Sequence, residues 1–190
     1  MPDISNVSQH GAADIINRRL ESARVRAGYR ALGLRILSVA LILYLVFTFG
    51  FLICQNHGQG MFPAMKDGDL CIIFRTPAQT LMGERFAAGD IVAYRAEGKR
   101  YIGRVAAVAG DVIQMNDSGS LTVNGSGQSG EILFPTYARG ELAYPYTVPQ
   151  GCLYVLGDRR TDTQDSRDFG PIPMESVEGK VITILRRRGL

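Results

Sequence analysis

An uncharged apolar run covers residues 36–54, where 19 successive residues include nothing more polar than Ser38, Tyr44 and Thr48. As a helix this run would be about 28 Å long, close to the bilayer hydrocarbon thickness of about 30 Å. A buried core helix usually keeps a polar stripe, and this run has none. The pattern predicts one transmembrane helix over residues 36–54.

From residue 70 onward the pattern changes to short apolar and β-branched runs separated by turn residues. Such spacing predicts an antiparallel β-sheet domain, so the chain is expected to be mainly β, with a single transmembrane helix before the sheet. The Asn-Asp-Ser-Gly-Ser segment at 116–120 is typical of a hairpin turn. The predicted strands are 70–74, 91–95, 101–109, 112–115, 121–123, 153–157 and 180–185.

A cleaved signal peptide is the alternative to a retained membrane helix. Its apolar core is usually about 7–15 residues long, lies close to the N-terminus and is followed by small residues at the cleavage site. Here 35 residues precede the run, and Gln55, Asn56 and His57 follow it. We therefore expect a retained anchor in the plasma membrane.

Charge is distributed unevenly around this anchor. Residues 1–35 hold six arginines against three acidic residues, whereas residues 55–190 hold fifteen basic and fifteen acidic residues. The positive-inside rule predicts a cytoplasmic basic arm (1–35) and an extracytoplasmic domain (55–190). A nucleic-acid binder would carry its basic patch on the folded domain, so no nucleic-acid partner is expected. The arginines are Arg18, Arg19, Arg24, Arg26, Arg30 and Arg35.

The basic arm also has apolar residues at spacings of three and four. One interpretation is an amphipathic helix lying on anionic lipid, and the other is a solvated helical lead-in to the anchor. Both stay open on the sequence. The apolar positions are Ile16, Leu20, Ala23, Ala27, Ala31 and Leu34.

The chain has three cysteines, of which Cys71 and Cys152 lie in predicted strands and Cys54 ends the apolar run. In an outward-facing domain Cys71 and Cys152 could form a disulfide if their strands were neighbours, but two buried thiols are the preferred interpretation. With two histidines and no CxxC or HExxH spacing, neither a metal site nor a cofactor is predicted.

Three polar, glycine-containing stretches have the composition of a functional site: residues 58–70, 100–111 and 157–171. Together with AGDIVAY at 88–94 and YTVPQGCLYVLGD at 146–158, they resemble in order and spacing the signature blocks of type I signal peptidases. Those are membrane-anchored serine proteases that remove signal peptides from exported proteins. The resemblance implies their β-sheet fold and an exported peptide as ligand.

The resemblance fails at the two residues that would carry the chemistry. Where the family has Ser-Met-x-Pro, with the serine as nucleophile, this chain has Gly60. Where the family has Tyr-Ile-Lys-Arg, with the lysine as general base, it has Gly103. Glycine offers neither a hydroxyl nor an amine. Gly58 takes the position whose hydroxyl helps to bind the oxyanion in some members. The matching neighbours are Met61, Pro63 and Arg104.

The third block, GDRRTDTQDSRDFG at 157–170, matches the family better. It departs at Arg159, Asp162 and Thr163, the last replacing a serine that orients the lysine. The resemblance implies that Asp158, Asp165 and Arg167 are ion-paired supports beneath the strand of Gly103, and the alternative is a solvated charged loop. The matching residues are Gly157, Asp158, Arg160, Asp165, Ser166, Arg167 and Gly170.

A substitute dyad would have to come from few residues. The chain has three lysines, Lys66, Lys99 and Lys180, and none replaces the missing base in the motif. Ser166 belongs to the third block, and His57 has no serine beside it. For each of these residues an exposed or structural role is the simpler interpretation.

The sequence therefore predicts a non-catalytic signal-peptidase homologue that binds extended peptides by strand addition. The family resemblance extends to the inactive members that assist pilus assembly in Gram-positive bacteria, with pilins and a sortase as partners beside the lipid bilayer. One alternative is an active serine endopeptidase, either with a substitute dyad or as an engineered variant of an active parent. Another is an inert surface domain.

Overall fold

The computed structural model describes residues 28–77, 83, 85–128 and 134–186. The chain divides into two compact units, with the boundary between Phe47 and Thr48. The predicted basic arm is not covered: four of its arginines, and most of its amphipathic pattern, lie outside the described residues. We refer to residues 48–190 as the β unit.

Helix α1 (Gly28–Gly50) has 23 residues and is long and apolar enough to cross a membrane. Every side chain from residue 28 to residue 49 is exposed, so the helix has no protein core around it. An apolar surface of this length is stable when lipid surrounds it. The helix agrees with the predicted anchor, but its bounds differ, because it is already helical at Gly28 and ends at Gly50.

Residues 51–54, which were predicted to end the membrane helix, form most of a strand instead. Strand β1 (Phe51–Gln55) pairs antiparallel with β2 (Leu70–Arg75), and Ile53 lies opposite Ile72. A short apolar run suits a helix and a strand equally, so the pairing partner decides between them. Gly50, a poor helix former, is the last residue of the helix, and β1 begins at the next residue. The β unit therefore begins before the predicted residue 55.

Two antiparallel sheets make up the β unit, which confirms the predicted mainly-β class. The larger sheet has the strand order β1-β2-β11-β3-β4-β9-β10, and the smaller has the order β7-β6-β5-β8. The remaining strands are β3 (Ile91–Ala96), β4 (Lys99–Val108), β5 (Val112–Met115), β6 (Leu121–Val123), β7 (Ser126–Gly127), β8 (Tyr146–Thr147), β9 (Cys152–Leu156), β10 (Ile172–Pro173) and β11 (Val177–Leu185).

All seven predicted strands are present, with bounds within three residues of those predicted. The predicted hairpin at 116–120 joins β5 to β6, and the Asn116 carboxamide oxygen accepts the Ser120 N–H at 2.8 Å. The strands that the pattern missed beyond β1 are β7, β8 and β10, each two residues long. Such short strands are too brief for an alternating pattern to show.

Strand β9 lies between two apolar cores. Leu153 and Val155 belong to one buried cluster, and Tyr154 and Leu156 belong to another. This division follows from the alternation of side chains along a strand, which sends successive residues to opposite faces. Because both faces are buried, β9 is a rigid base for the loop that begins at Gly157.

Candidate functional site

An open groove of about 760 Å³ lies between two strand edges of the β unit. Residues 53–55 of β1 form one side, and residues 100–102 of β4 form the other. Among the described residues β1 pairs with β2 alone, and β9 pairs with β4 only from Arg104 onward. Both sides of the groove therefore present backbone that no neighbouring strand of the described chain occupies.

The end of the groove is closed by the turn at 57–61 and the loop at 162–164. The turn is held by side chains: the Asp67 carboxylate accepts the Gly58 N–H at 2.7 Å, and the Asn56 carboxamide donates to the Lys66 carbonyl at 2.9 Å. Met61 is buried beneath the turn, whereas Pro63 is exposed. The predicted oxyanion position at Gly58 therefore has its N–H engaged by a carboxylate.

Gly60 lies against Thr163, and no side chain at position 60 has free space. A Cβ at position 60 would lie 2.7 Å from the Thr163 Cγ2 methyl, which is closer than side-chain carbons approach each other. The same methyl fills the space beside Gly157. Backbone also fixes the contact, because the Arg159 N–H donates to the Gly60 carbonyl at 2.9 Å. The methyl of Thr163 thus occupies the space that a nucleophilic side chain would use.

Gly103 is buried in the middle of β4 and is enclosed in the same way. A Cβ there would lie 2.5 Å from Val155 Cγ1, 3.2 Å from the Leu156 carbonyl oxygen and 3.4 Å from Tyr94 Cε1. Burial raises the pKa of the Tyr94 hydroxyl, so this phenol stays protonated and does not replace a lysine as a base. The predicted position of the general base is thus enclosed by core side chains.

The Asp165 carboxylate organises the polar loop that follows β9. It accepts the Gly157 N–H at 3.2 Å, the Thr163 hydroxyl at 3.0 Å and the Arg167 guanidinium at 2.7 and 2.9 Å. It also caps the short helix α2 (Ser166–Phe169) by accepting the Arg167 N–H. The Asp165 and Arg167 side chains are 1% and 0% exposed, so the pair is desolvated.

Two further supports connect this loop to β4 and β9. Arg104 makes a bidentate ion pair with Asp158, with N–O distances of 2.8 and 2.7 Å, and this raises the pKa of Arg104. Ser166 accepts the Val155 N–H through its hydroxyl at 2.9 Å. Asp158 and Ser166 are therefore hydrogen-bonded to the strands β4 and β9, and the solvated-loop alternative does not describe Asp165 or Arg167.

Arg160 and Arg139 make further contacts around the loop. Arg160 is buried and donates to Thr136 and Gln128, and burial lowers its pKa to about 10. Arg139 was not selected from the sequence, yet it donates to the carbonyls of Arg160, Thr161 and Thr163. No motif marks Arg139, because its partners, these carbonyls and the Asp168 carboxylate at 3.9 Å, are brought together only in the folded loop.

Among the described residues that line the groove there is no serine and no lysine. Lys180 is ion-paired with Asp90 at 2.8 Å, while Lys66 and Lys99 are exposed elsewhere. His57 and Cys54 do line the groove, but the partner of the Cys54 thiol is Cys71. In the described part of the chain, no cluster of three histidine, cysteine or acidic residues could hold a metal ion.

Comparison with known proteins gives one consistent family. The family model described as "Signal peptidase, peptidase S26" matches residues 29–185. Signal peptidase I of Bacillus caldolyticus is 32% identical over 138 residues, covering 66% of this chain and 74% of that protein. Signal peptidase IB of Staphylococcus aureus strain COL is 30% identical over 166 residues, covering 77% and 85%.

Among solved structures, a signal peptidase I from Enterococcus faecalis V583 is 30% identical, with a TM-score of 0.43. The match covers 53% of this chain and 98% of that one.

Removing one partner of the buried pair is expected to be strongly destabilising. Arg167→Gln should lower the free energy of unfolding by about 3–5 kcal/mol, because Asp165 would stay buried without its counter-charge. Arg95→Gln is the matched control: Arg95 is 59% exposed beside Glu178, and its loss should cost less than about 1 kcal/mol. Denaturant titrations of both variants in detergent micelles measure this difference, and equal losses would contradict it.

The contact between Gly60 and Thr163 predicts an energetic coupling. Gly60→Ala should destabilise the protein by about 1–3 kcal/mol, because its Cβ would overlap the Thr163 methyl. Thr163→Ser removes that methyl, so the cost of Gly60→Ala should fall in this background by about 0.5 kcal/mol or more. A double-mutant cycle measures the coupling. The exposed Thr183→Ser is the control background, and additivity in both backgrounds would argue against the contact.

Proposed function

Because the chain belongs to the signal peptidase family, peptidase S26, we propose that it is a membrane-anchored member that binds extended peptides without cleaving them. The observation that carries this proposal is that neighbouring side chains fill the space at both predicted catalytic positions, Gly60 and Gly103. Gly60 is covered by the Thr163 methyl, and Gly103 is covered by Val155. The groove beside them is open.

Hydrolysis of a peptide bond by this family's chemistry needs a hydroxyl nucleophile and an amine that accepts its proton. In this groove the single O–H of Thr163 has the Asp165 carboxylate at 3.0 Å and the Arg159 carbonyl at 3.3 Å as acceptors, and its methyl, not its oxygen, faces Gly60. A general base must approach its proton to about 3 Å. The amine of Lys180 is ion-paired with Asp90, so it does not serve as that base.

Peptide binding requires less of the side chains. An extended peptide pairs with unpaired strand backbone through main-chain hydrogen bonds, and side chains adjust specificity. Residues 53–55 of β1 and 100–102 of β4, whose groove-side edges no described strand occupies, offer such backbone on both sides of the groove. Ile53, Met61 and Ile102 supply apolar contacts. Glycine at positions 60 and 103 removes none of these features.

The proposed setting is the plasma membrane, with α1 as the anchor and the β unit on the outer side. This orientation rests on the arginines before the apolar run, two of which, Arg30 and Arg35, lie within α1. The relatives from Bacillus and Staphylococcus fit a Gram-positive source. The ligand class is an exported protein segment such as a signal peptide, and a pilin or sortase partner stays a prediction.

A cleavage assay tests the non-catalytic part of the proposal. The full chain in detergent micelles is expected to leave a signal-peptide substrate with an Ala-x-Ala site intact. A restored variant carries Gly60→Ser and Gly103→Lys, together with Thr163→Ser and Val155→Ala to make room for them. Cleavage by the restored variant alone would support a scaffold that lacks only its reactive groups.

Cleavage by the unchanged chain would overturn the proposal. In that case loss of the activity in Cys54→Ser would identify the groove thiol as a substitute nucleophile.

A binding assay tests the peptide-binding part separately. Ile53 lines the groove and is 66% exposed, so Ile53→Glu should leave the fold intact and weaken peptide binding by about tenfold or more. Ile182→Glu is the matched control, since Ile182 is 50% exposed on β11 and lies outside the groove lining. Fluorescence anisotropy of a labelled peptide measures both affinities. Equal affinity of the two variants would place binding elsewhere.

A further inference from the structure

Two thiols face each other across the first two strands of the β unit. Cys54 on β1 lies directly opposite Cys71 on β2 in the antiparallel register, and their sulfur atoms are 3.7 Å apart. Directly opposed residues have Cβ atoms about 4.5–5.5 Å apart, near the upper end of the roughly 3.5–4.5 Å that a disulfide spans, so a small local shift would allow the bond. The sequence favoured two buried thiols, with a Cys71–Cys152 bridge only if their strands were neighbours, and Cys152 lies on β9 opposite Pro173.

The two thiols differ in access and in acidity. Cys71 is fully buried, whereas Cys54 is 8% exposed and lines the groove. The hydrogen bond with the Cys71 thiol, with a smaller effect of the Arg100 charge, lowers the pKa of Cys54 to about 7 against burial, which raises it. The same interaction raises the pKa of Cys71. Cys54 is therefore the thiol that a reagent in the groove meets first, and the lowered pKa increases its thiolate fraction near neutral pH.

The surroundings suit a reversible bond between these two sulfurs. Met61, Met65 and Ile73 pack around the pair, so an exchanging molecule approaches from the groove side. β1 is an edge strand, held in the sheet by β2 alone among the described strands. A covalent link at Cys54 would tie this edge strand, and with it one side of the groove, to the sheet.

We propose that Cys54 and Cys71 are a redox-active dithiol that closes to a disulfide by exchange with low-molecular-weight disulfides, Cys54 being the attacking residue. In the proposed orientation the pair faces the oxidising side of the membrane. The chemistry itself is independent of peptide binding and of catalysis, so failure of either proposal leaves the other standing.

The exchange proceeds in two balanced steps. The Cys54 thiolate attacks one sulfur of a disulfide RSSR, which forms a mixed disulfide and releases RS⁻. Cys71 then loses its proton, and its thiolate attacks the Cys54 sulfur, which forms the Cys54–Cys71 bond and releases the second RS⁻. The two protons lost by the cysteines end on the two released thiols. The protein is oxidised by two electrons, and RSSR is reduced to two RSH.

Oxidised glutathione tests the proposal on the full chain in detergent micelles. After oxidation, peptide mapping without reduction should give a linked fragment pair that contains Cys54 and Cys71. Cys152 is the internal control, because it has no thiol opposite it and should stay free or carry one glutathione. Oxidation should also raise the melting temperature, since the bond closes a loop in the unfolded chain.

Single variants in a Cys152→Ser background test which thiol attacks. Cys71→Ser should trap a stable glutathione adduct on Cys54, whereas Cys54→Ser should leave the buried Cys71 unmodified in the folded protein. Free alkylation of both Cys54 and Cys71 after oxidation, or a linkage through Cys152, would overturn the proposal. The mapping of the unchanged chain needs no variant, so a variant that fails to fold does not remove the test.

Discussion

The buried pair of Asp165 and Arg167 is the interaction on which the geometry of the site depends. Both side chains are withdrawn from water, so either charge alone would be costly to keep in place. The Asp165 carboxylate accepts hydrogen bonds from the Gly157 N–H after β9, from the Thr163 hydroxyl and from the first turn of α2. It therefore fixes the loop that carries Thr163, and through this loop it sets what lies against Gly60.

In the proposed function the groove binds peptide without a serine at position 60 or a lysine at position 103. Strand edges bind through backbone groups, and those groups do not depend on the side chains at these two positions. The space beside Gly60 and Gly103 is filled by Thr163 and Val155, two β-branched residues on the rigid β9 and its loop. Because those neighbours are packed, restoring a hydroxyl and an amine alone would create overlap.

The first strand connects the groove to the thiol pair. β1 offers one edge to the groove, and through its other edge it places Cys54 opposite Cys71. An edge strand with a single neighbour is the part of a sheet that moves most easily, since fewer ladder hydrogen bonds hold it. The position of β1 therefore affects both the groove and the distance between the Cys54 and Cys71 sulfur atoms.

The sequence alone determined the class of the fold, the apolar helix and the family. Strands β5 and β6 were predicted at their observed bounds, because each is a short apolar run limited by turn residues. The motif blocks also identified Gly60 and Gly103, since a resemblance needs only residue order. Only the tertiary structure decided where the apolar run changes from helix to strand at Gly50, because residues 51–54 become a strand through pairing with β2.

Register likewise decided that Cys71 faces Cys54 and not Cys152, and packing decided that the Thr163 methyl closes the position beside Gly60. These features depend on contacts between residues far apart in the chain, and a local pattern of apolar and polar residues carries no information about such contacts.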